Sequence, residues 1–138
     1  SFGLSGISDG SKVLCTDKAV LRSATQPGCI VVSVGSNGDF AFEESIHARF
    51  PHCTVHVFDG TFYGRPELVR PPSWLAPTFH YADFNETSYR MFAGARVAIF
   101  KMDCEGCEHA SLLPFVQRTC TEIMLVEVHA NMSSRGLK

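Results

Sequence analysis

Long apolar runs are missing from this 138-residue chain. Every hydrophobic stretch is interrupted within a few positions, and a bilayer-spanning helix needs about 20 apolar residues in succession. A dominant charge is missing too. Lys and Arg number 12 against 14 Asp and Glu, a formal net charge of -2, and without a basic field neither nucleic acid nor an anionic membrane is indicated as a partner. There is no internal repeat and no low-complexity tract. At 45% hydrophobic and 19% charged, the composition excludes a disordered chain and fits one packed domain, able to bury roughly two-thirds of its unfolded surface. The chain opens at Ser1 rather than Met, which leaves room for a leader or anchor upstream, so its compartment is not legible.

Cysteines are too few for a disulfide scaffold. There are six (Cys15, Cys29, Cys53, Cys104, Cys107 and Cys120), an even number that permits bridges in an oxidising compartment. Cys29, Cys53 and Cys120 border strand-like runs and read as small buried hydrophobes.

What is present is an alternation of short β-branched runs with helical stripes. Residues 1–28 form a lead-in, with a loose Gly- and Ser-rich start over Ser1 to Ser11 and then a short strand and helical turn over Lys12 to Ala24. Residues 29–138 form the domain proper. Cys29 to Val34 is a nearly continuous apolar run ended by Gly35, the pattern of a strand covered on both faces. Phe42, Ile46 and Phe50 then recur every four residues, one face of a helix that Pro51 closes. Thr54 to Phe58 is a second strand, completing a βαβ unit. Prolines exclude regular helix over most of Gly60 to Pro77, where Trp74 sits in a lid or a packed surface loop. Thr78 to Tyr81 reads as a third strand, Ala82 to Ala93 as a polar helix and Val97 to Met102 as a fourth strand. A helix over Cys107 to Thr119 is expected to kink or split at Pro114, and Glu122 to Val128 is a last strand. The fold class is α/β, a Rossmann-like parallel sheet with helices on both faces. Glu122 to Val128 would be a long apolar edge, which natural sheets cover. The expectation is therefore that the intact protein continues past Lys138, or that residues 1–28 or a partner chain cover this strand.

Ligands of open parallel sheets bind beyond the carboxyl ends of the strands. The strand exits read Gly35-Ser36-Asn37-Gly38-Asp39, Asp59-Gly60-Thr61, Asp83-Phe84, Asp103-Cys104-Glu105-Gly106 and His129, an acid or histidine at each. The dinucleotide fingerprint G-x-G-x-x-G is missing, since only Gly35 and Gly38 stand in the first turn. Asp39 at the helix start would repel a phosphate by about 3 kcal/mol for unit charges ~5 Å apart at an effective dielectric near 20. Asp59 follows Gly35 at close to the ~20-residue spacing at which an acid accepts ribose hydroxyls. An adenosine-type ligand without phosphate fits this rim, and S-adenosylmethionine (SAM), a net cation, is such a ligand.

Cys29 to Glu43 (CIVVSVGSNGDFAFE), Phe58 to Thr61 (FDGT), Phe100 to His109 (FKMDCEGCEH) and Glu122 to Ala130 (EIMLVEVHA) resemble successive motifs of FkbM-type methyltransferases, nearest their eukaryotic methyltransferase-like branch. The resemblance runs from about Asp9 to Ala130. It implies a class I, Rossmann-like, SAM-dependent enzyme acting on an oxygen or nitrogen acceptor, small-molecule or glycan-like, here without the last two strands of the full fold. By position, it puts Gly35, Ser36, Asn37 and Gly38 around the methionine half of SAM and Asp59 at the ribose. It puts Asp83 and Phe84 at the adenine, with Gly60 and Thr61 beside them, and Asp103 and Glu105 at the acceptor.

Methyl transfer from a sulfonium is an in-line displacement in which positioning supplies roughly 7–11 kcal/mol and a base about 10²–10⁴-fold. Asp103, Glu105 and His129 are the candidates for that base or for orienting the acceptor. The bland alternative makes Asp103 and Glu105 caps of the next helix and His129 a loop residue. Cys104-Glu-Gly-Cys107 also invites a zinc or a thioredoxin-like reading. A second ligand pair at finger spacing is missing for zinc, and Glu105 and Glu108 oppose a thiolate, so no metal ligand is assigned. Two rival functions are a catalytically silent SAM-binding domain and, disfavoured by the missing glycine and Asp39, an NAD-type oxidoreductase.

Overall fold

The computed structural model describes residues 22–130 and, before them, the strands β1 (Phe2–Leu4) and β2 (Lys12–Leu14). These two pair antiparallel, Phe2 opposite Leu14, so the stretch expected to be a loose start contains a strand. Of the helical turn expected before Ala24, the described part is a single 3-10 turn over Ser23–Thr25.

The main sheet has five parallel strands: β3 (Ile30–Val34), β4 (Thr54–Phe58), β5 (Phe79–His80), β6 (Arg96–Met102) and β7 (Cys120–Val126), in the spatial order β5-β4-β3-β6-β7. Alternate side chains of the central strands enter two separate cores. Val31, Val55, Val57 and Ile99 meet Phe42, Ile46 and Phe50 from helix α1 (Ala41–Arg49). Val32, Val34, Phe58, Val97, Phe100 and Met102 face the other way, against Phe84, Phe92 and Phe115. A register shift in the pairing of β3 with β6 takes up one extra residue, Ala98, which joins Ile99 on the α1 side and restores the alternation beyond it. Covering both faces explains why these strands read as continuous apolar runs.

The α1 stripe closes as expected, with Phe50 N–H returning to the Ile46 carbonyl just before Pro51. Between β4 and β5 there are only 3-10 turns, at Gly60–Phe62, Pro66–Leu68 and Ala76–Thr78. Trp74 in this stretch stacks on His47 of α1 (centroids 3.9 Å apart) and packs against the α1-side core. A short helix α2 (Glu86–Arg90), capped by Asn85, covers part of the opposite face. Helix α3 (Glu108–Arg118) runs unbroken through Pro114 instead of splitting. Anchors on both sides of the proline hold it. Ser111 Oγ donates to the Phe84 carbonyl at 2.8 Å, and the fully buried Phe115 stacks on Phe100 with centroids 4.2 Å apart.

Strand β7 begins two residues earlier than expected and forms the sheet edge, with Met124 exposed. The segment before β3 reaches it, since Ser23 donates from its backbone N–H (3.1 Å) and its hydroxyl (2.5 Å) to the Glu122 carboxylate. Among the described residues no helix is long and apolar enough to cross a membrane.

Cys29 and Cys53 correct the sequence reading. They are buried at the starts of β3 and β4, but they are bonded to each other rather than packed as free thiols. Parallel pairing brings the two strand entrances together, with Cα atoms 4.4 Å apart, and the bridge closes the βαβ unit on itself. For a loop spanning 24 positions, chain entropy predicts that the paired Cys29→Ser, Cys53→Ser variant loses about 3 kcal/mol. Urea denaturation of the oxidised proteins measures this; equal midpoints would show that strand pairing alone sets the stability here.

Candidate functional site

The strand order reverses between β3 and β6, since β4 and β5 continue to one side of β3 and β7 lies on the other. A crevice opens at such a switch point, and its floor is a backbone approach. Asp103 N–H donates to the Val34 carbonyl and Gly35 N–H to the Phe58 carbonyl, both at 2.9 Å. Gly35 has φ +81, and a Cβ there would fall on the Asp103 carbonyl. A Cβ on Gly60 would overlap the Asp83 carboxylate, which as an exposed side chain can swing aside.

The cleft above this floor, about 120 Å³ in volume, is lined by Val34, Gly35, Phe58, Asp59, Gly60, Thr61, Asp83, Phe84, Cys104 and Cys107. Phe58 and Phe84 meet edge-on at 5.2 Å and form its apolar wall. The structure thus gathers the exits of β3, β4, β5 and β6 into one place. Of the cofactor-side candidates, Asn37 and Gly38 are exposed beside it, and Ser36 is buried beneath.

Asp59 is committed to the loop after β3. Its Oδ2 accepts from Ser36 N–H (3.0 Å), Ser36 Oγ (2.8 Å) and Asn37 N–H (2.6 Å), and its Oδ1 from Thr61 N–H (3.0 Å). Burial works to raise its pKa, but these donors outweigh it and hold the carboxyl below its usual range. Three donors share Oδ2, while Oδ1 takes only one and keeps a second lone pair. Asp83 is exposed on the rim. Asp39 accepts the Ala41 N–H at 3.0 Å at the start of α1.

Beneath the loop lies a polar cluster that the sequence reading missed. Glu43 of α1 is fully buried and accepts from Ser33 Oγ at 2.5 Å, while Lys101 of β6 reaches over the Phe42 ring and donates to the Gly35 carbonyl at 2.5 Å. Glu43 Oε2 has no hydrogen-bond partner among the described residues. Burial raises the Glu43 pKa, against the opposing pull of Lys101 and Ser33. The one signal in the sequence was a lysine inside the apolar run Val97 to Met102.

On the other bank, β6 and β7 deliver Asp103, Glu127 and His129. His129 Nε2 lies 3.9 Å from Asp103 Oδ1 and 3.6 Å from Glu127 Oε1. Its backbone N–H and Nδ1 both engage Glu108 Oε1, at 2.7 and 3.1 Å. Glu108, nearly fully buried, also takes Gly106 N–H on Oε2 at 2.9 Å. Burial would raise its pKa, but the donors from His129, its own backbone and Gly106 bring it down to about 2. Cys104 and Cys107 are disulfide-bonded at the cleft wall. Asp103 and His129 therefore stand together, whereas Glu105 is exposed in a left-handed turn (φ 52), outside this hydrogen-bond network.

A family model described as a methyltransferase domain matches residues 2–137, nearly the whole chain. The chain belongs to that family. Methyl transfer is the general chemistry of this methyltransferase domain, and its five-stranded parallel sheet with helices is an α/β, Rossmann-like fold. No curated protein and no solved structure gives a significant match.

Two outcomes follow. Gly35→Ala combines a positive φ with a clash against backbone, so the variant is expected to lose about 3 kcal/mol or more in urea denaturation; near-normal stability would mean that the β3–β6 approach is loose. The folded protein also keeps on Glu43 a proton that the unfolded chain releases near the ordinary 4.5. Stability conferred at this site is therefore fully present below 4.5 and falls as pH rises toward the higher folded-state value. Glu43→Gln removes that dependence, so the variant gains on wild type as pH is raised from 4.5, whereas parallel profiles would show that Glu43 ionises normally.

Proposed function

We propose that this domain binds SAM at the switch-point cleft and transfers its methyl group to an oxygen or nitrogen acceptor, small-molecule or glycan-like, as a member of the FkbM-type branch. One observation carries the reading: an aromatic wall and two carboxylates, Asp59 and Asp83, surround a cleft whose loop lacks the glycines that admit a pyrophosphate. A cationic, phosphate-free nucleoside suits that rim.

The bound cofactor would supply a methyl group on a sulfonium, electrophilic toward an acceptor lone pair, with the C–S electron pair departing onto a neutral thioether. The protein's own part is positioning. Phe84 and Phe58 with Gly60, Thr61 and Asp83 shape the side that takes the adenine. Asp59 offers its remaining Oδ1 site to a ribose hydroxyl while holding Ser36 and Asn37 in place. Gly35 to Gly38 border the methionine half. At about 120 Å³ the cleft is smaller than the ~300–1,000 Å³ of a typical ligand site, so part of the cofactor lies along the exposed Asn37–Gly38 rim. Asp103 and His129, and Glu105 on the loop between Asp103 and α3, border the acceptor as base or orienting groups.

Calorimetry with SAM, S-adenosylhomocysteine and NAD is expected to show binding of the first two alone; NAD binding, or no binding of SAM, overturns the reading. With an acceptor in hand, Asp103→Ala is expected to cut kcat by about 10²-fold or more while SAM affinity stays near normal. Unchanged turnover in the Ala variants of Asp103, Glu105 and His129 would discard the acid–base roles. SAM binding without turnover by the full chain would mark a silent binding domain.

A further inference from the structure

The group of Asp103, Glu127 and His129 has a geometry that acid–base chemistry alone does not require. One ligand-type atom from each of the three side chains lies within 4.8 Å of the others, on the exits of two neighbouring strands, and Asp103 directly precedes Cys104 of the cleft lining. All three residues are partly buried. The imidazole is held from behind: both Glu108 oxygens accept a backbone N–H, from His129 and from Gly106, and Oε1 lies 3.1 Å from His129 Nδ1. A carboxylate whose oxygens already accept places the proton on Nδ1. His129 Nε2 then faces two carboxylates, 3.9 and 3.6 Å away. A carboxylate behind a histidine is the arrangement that orients imidazole toward metal ions.

We propose that Asp103, Glu127 and His129 form a site for a divalent cation at the acceptor edge of the cleft, with Glu108 orienting His129. Two carboxylates balance the charge of a dication. Adjacent ligand atoms around an ion bound at ~2.1 Å stand about 3 Å apart, so the 3.9 and 3.6 Å gaps from His129 to the two carboxylates each close by less than ~1 Å to bind it. Imidazole favours first-row transition ions and carboxylates favour Mn²⁺ and Mg²⁺, so the mixed set points to an ion of Mn²⁺ type. Three protein ligands would leave coordination positions open for an acceptor. Those positions suit a hydroxylated acceptor that chelates through two neighbouring oxygens. A coordinated hydroxyl loses its proton to solvent more readily. Its oxygen lone pair then forms the bond to the methyl carbon as the C–S bond breaks toward sulfur. This catalytic use of the ion rests on the methyl-transfer reading, whereas binding of the ion does not.

The test is uptake of Mn²⁺ by the 138-residue chain, followed by the loss of the free-ion electron paramagnetic resonance signal and by calorimetry, with Mg²⁺ and Zn²⁺ as parallel arms. The expected result is saturable uptake of one ion per chain. Asp103→Asn and Glu127→Gln are each expected to weaken it by at least about 10-fold, and Glu108→Gln by about 10- to 100-fold, with circular dichroism confirming that each variant is folded. No saturable uptake of any of the three ions overturns the proposal. Uptake that none of the folded variants changes overturns it equally, as adventitious binding. SAM titration of the same samples separates the two conclusions. SAM binding without ion uptake sinks the ion site alone, and ion uptake without SAM binding sinks the cofactor reading alone.

Discussion

Everything around the cleft depends on how closely two strand ends approach at Gly35 and Asp103. The backbones are near enough that a single methyl group on Gly35 would strike the Asp103 carbonyl. The contact is braced from below by Lys101, which donates to the carbonyl of Gly35 itself, and by Glu43 next to it. Burying such groups is expensive, and a carboxyl that keeps its proton lowers that cost. A purely apolar layer would have packed more cheaply but would not have held the Gly35 carbonyl, which is where the loop turns out of the sheet.

Carboxylates at the strand exits differ in what they are free to do, and burial with donor count decides it. Asp59 is buried among four donated hydrogen bonds and organises the Ser36–Asn37 turn. Asp39 caps α1, and Glu108 is a buried anchor for His129. Asp83 lies exposed on the rim, while Asp103 and Glu127, partly exposed, face the imidazole. Acids of one kind thus divide into those spent on holding loops and side chains and those left partly or fully exposed. The two disulfides fit the same division, one tying the entrances of β3 and β4, the other closing the turn that carries Glu105 and Gly106.

Much of this was legible because parallel strands covered on both faces leave short β-branched runs with abrupt Gly or Asp exits. Runs such as Cys29 to Val34 and Thr54 to Phe58 marked the strands, and the exits marked the cleft. Where the reading failed, long-range contacts were responsible. Pro114 should break a helix on local grounds, yet Ser111 and Phe115 pin α3 across it. Cys29 and Cys53 look like isolated small hydrophobes until β3 and β4 pair. Glu127 reads as one more residue of an apolar strand, and only the neighbouring exit of β6 gives it partners.

The amino-acid sequence by itself determined the α/β alternation, the exits of β3, β4 and β6 and the acidic character of the rim, because these follow from local periodicity, turn chemistry and side-chain type. Which acid braces a loop and which stays exposed was decided only by tertiary structure. So were the placement of Lys101 beneath Gly35 and the meeting of Asp103, Glu127 and His129. Those features depend on distances between residues far apart in the chain, and such distances exist only once β3, β6 and β7 lie side by side.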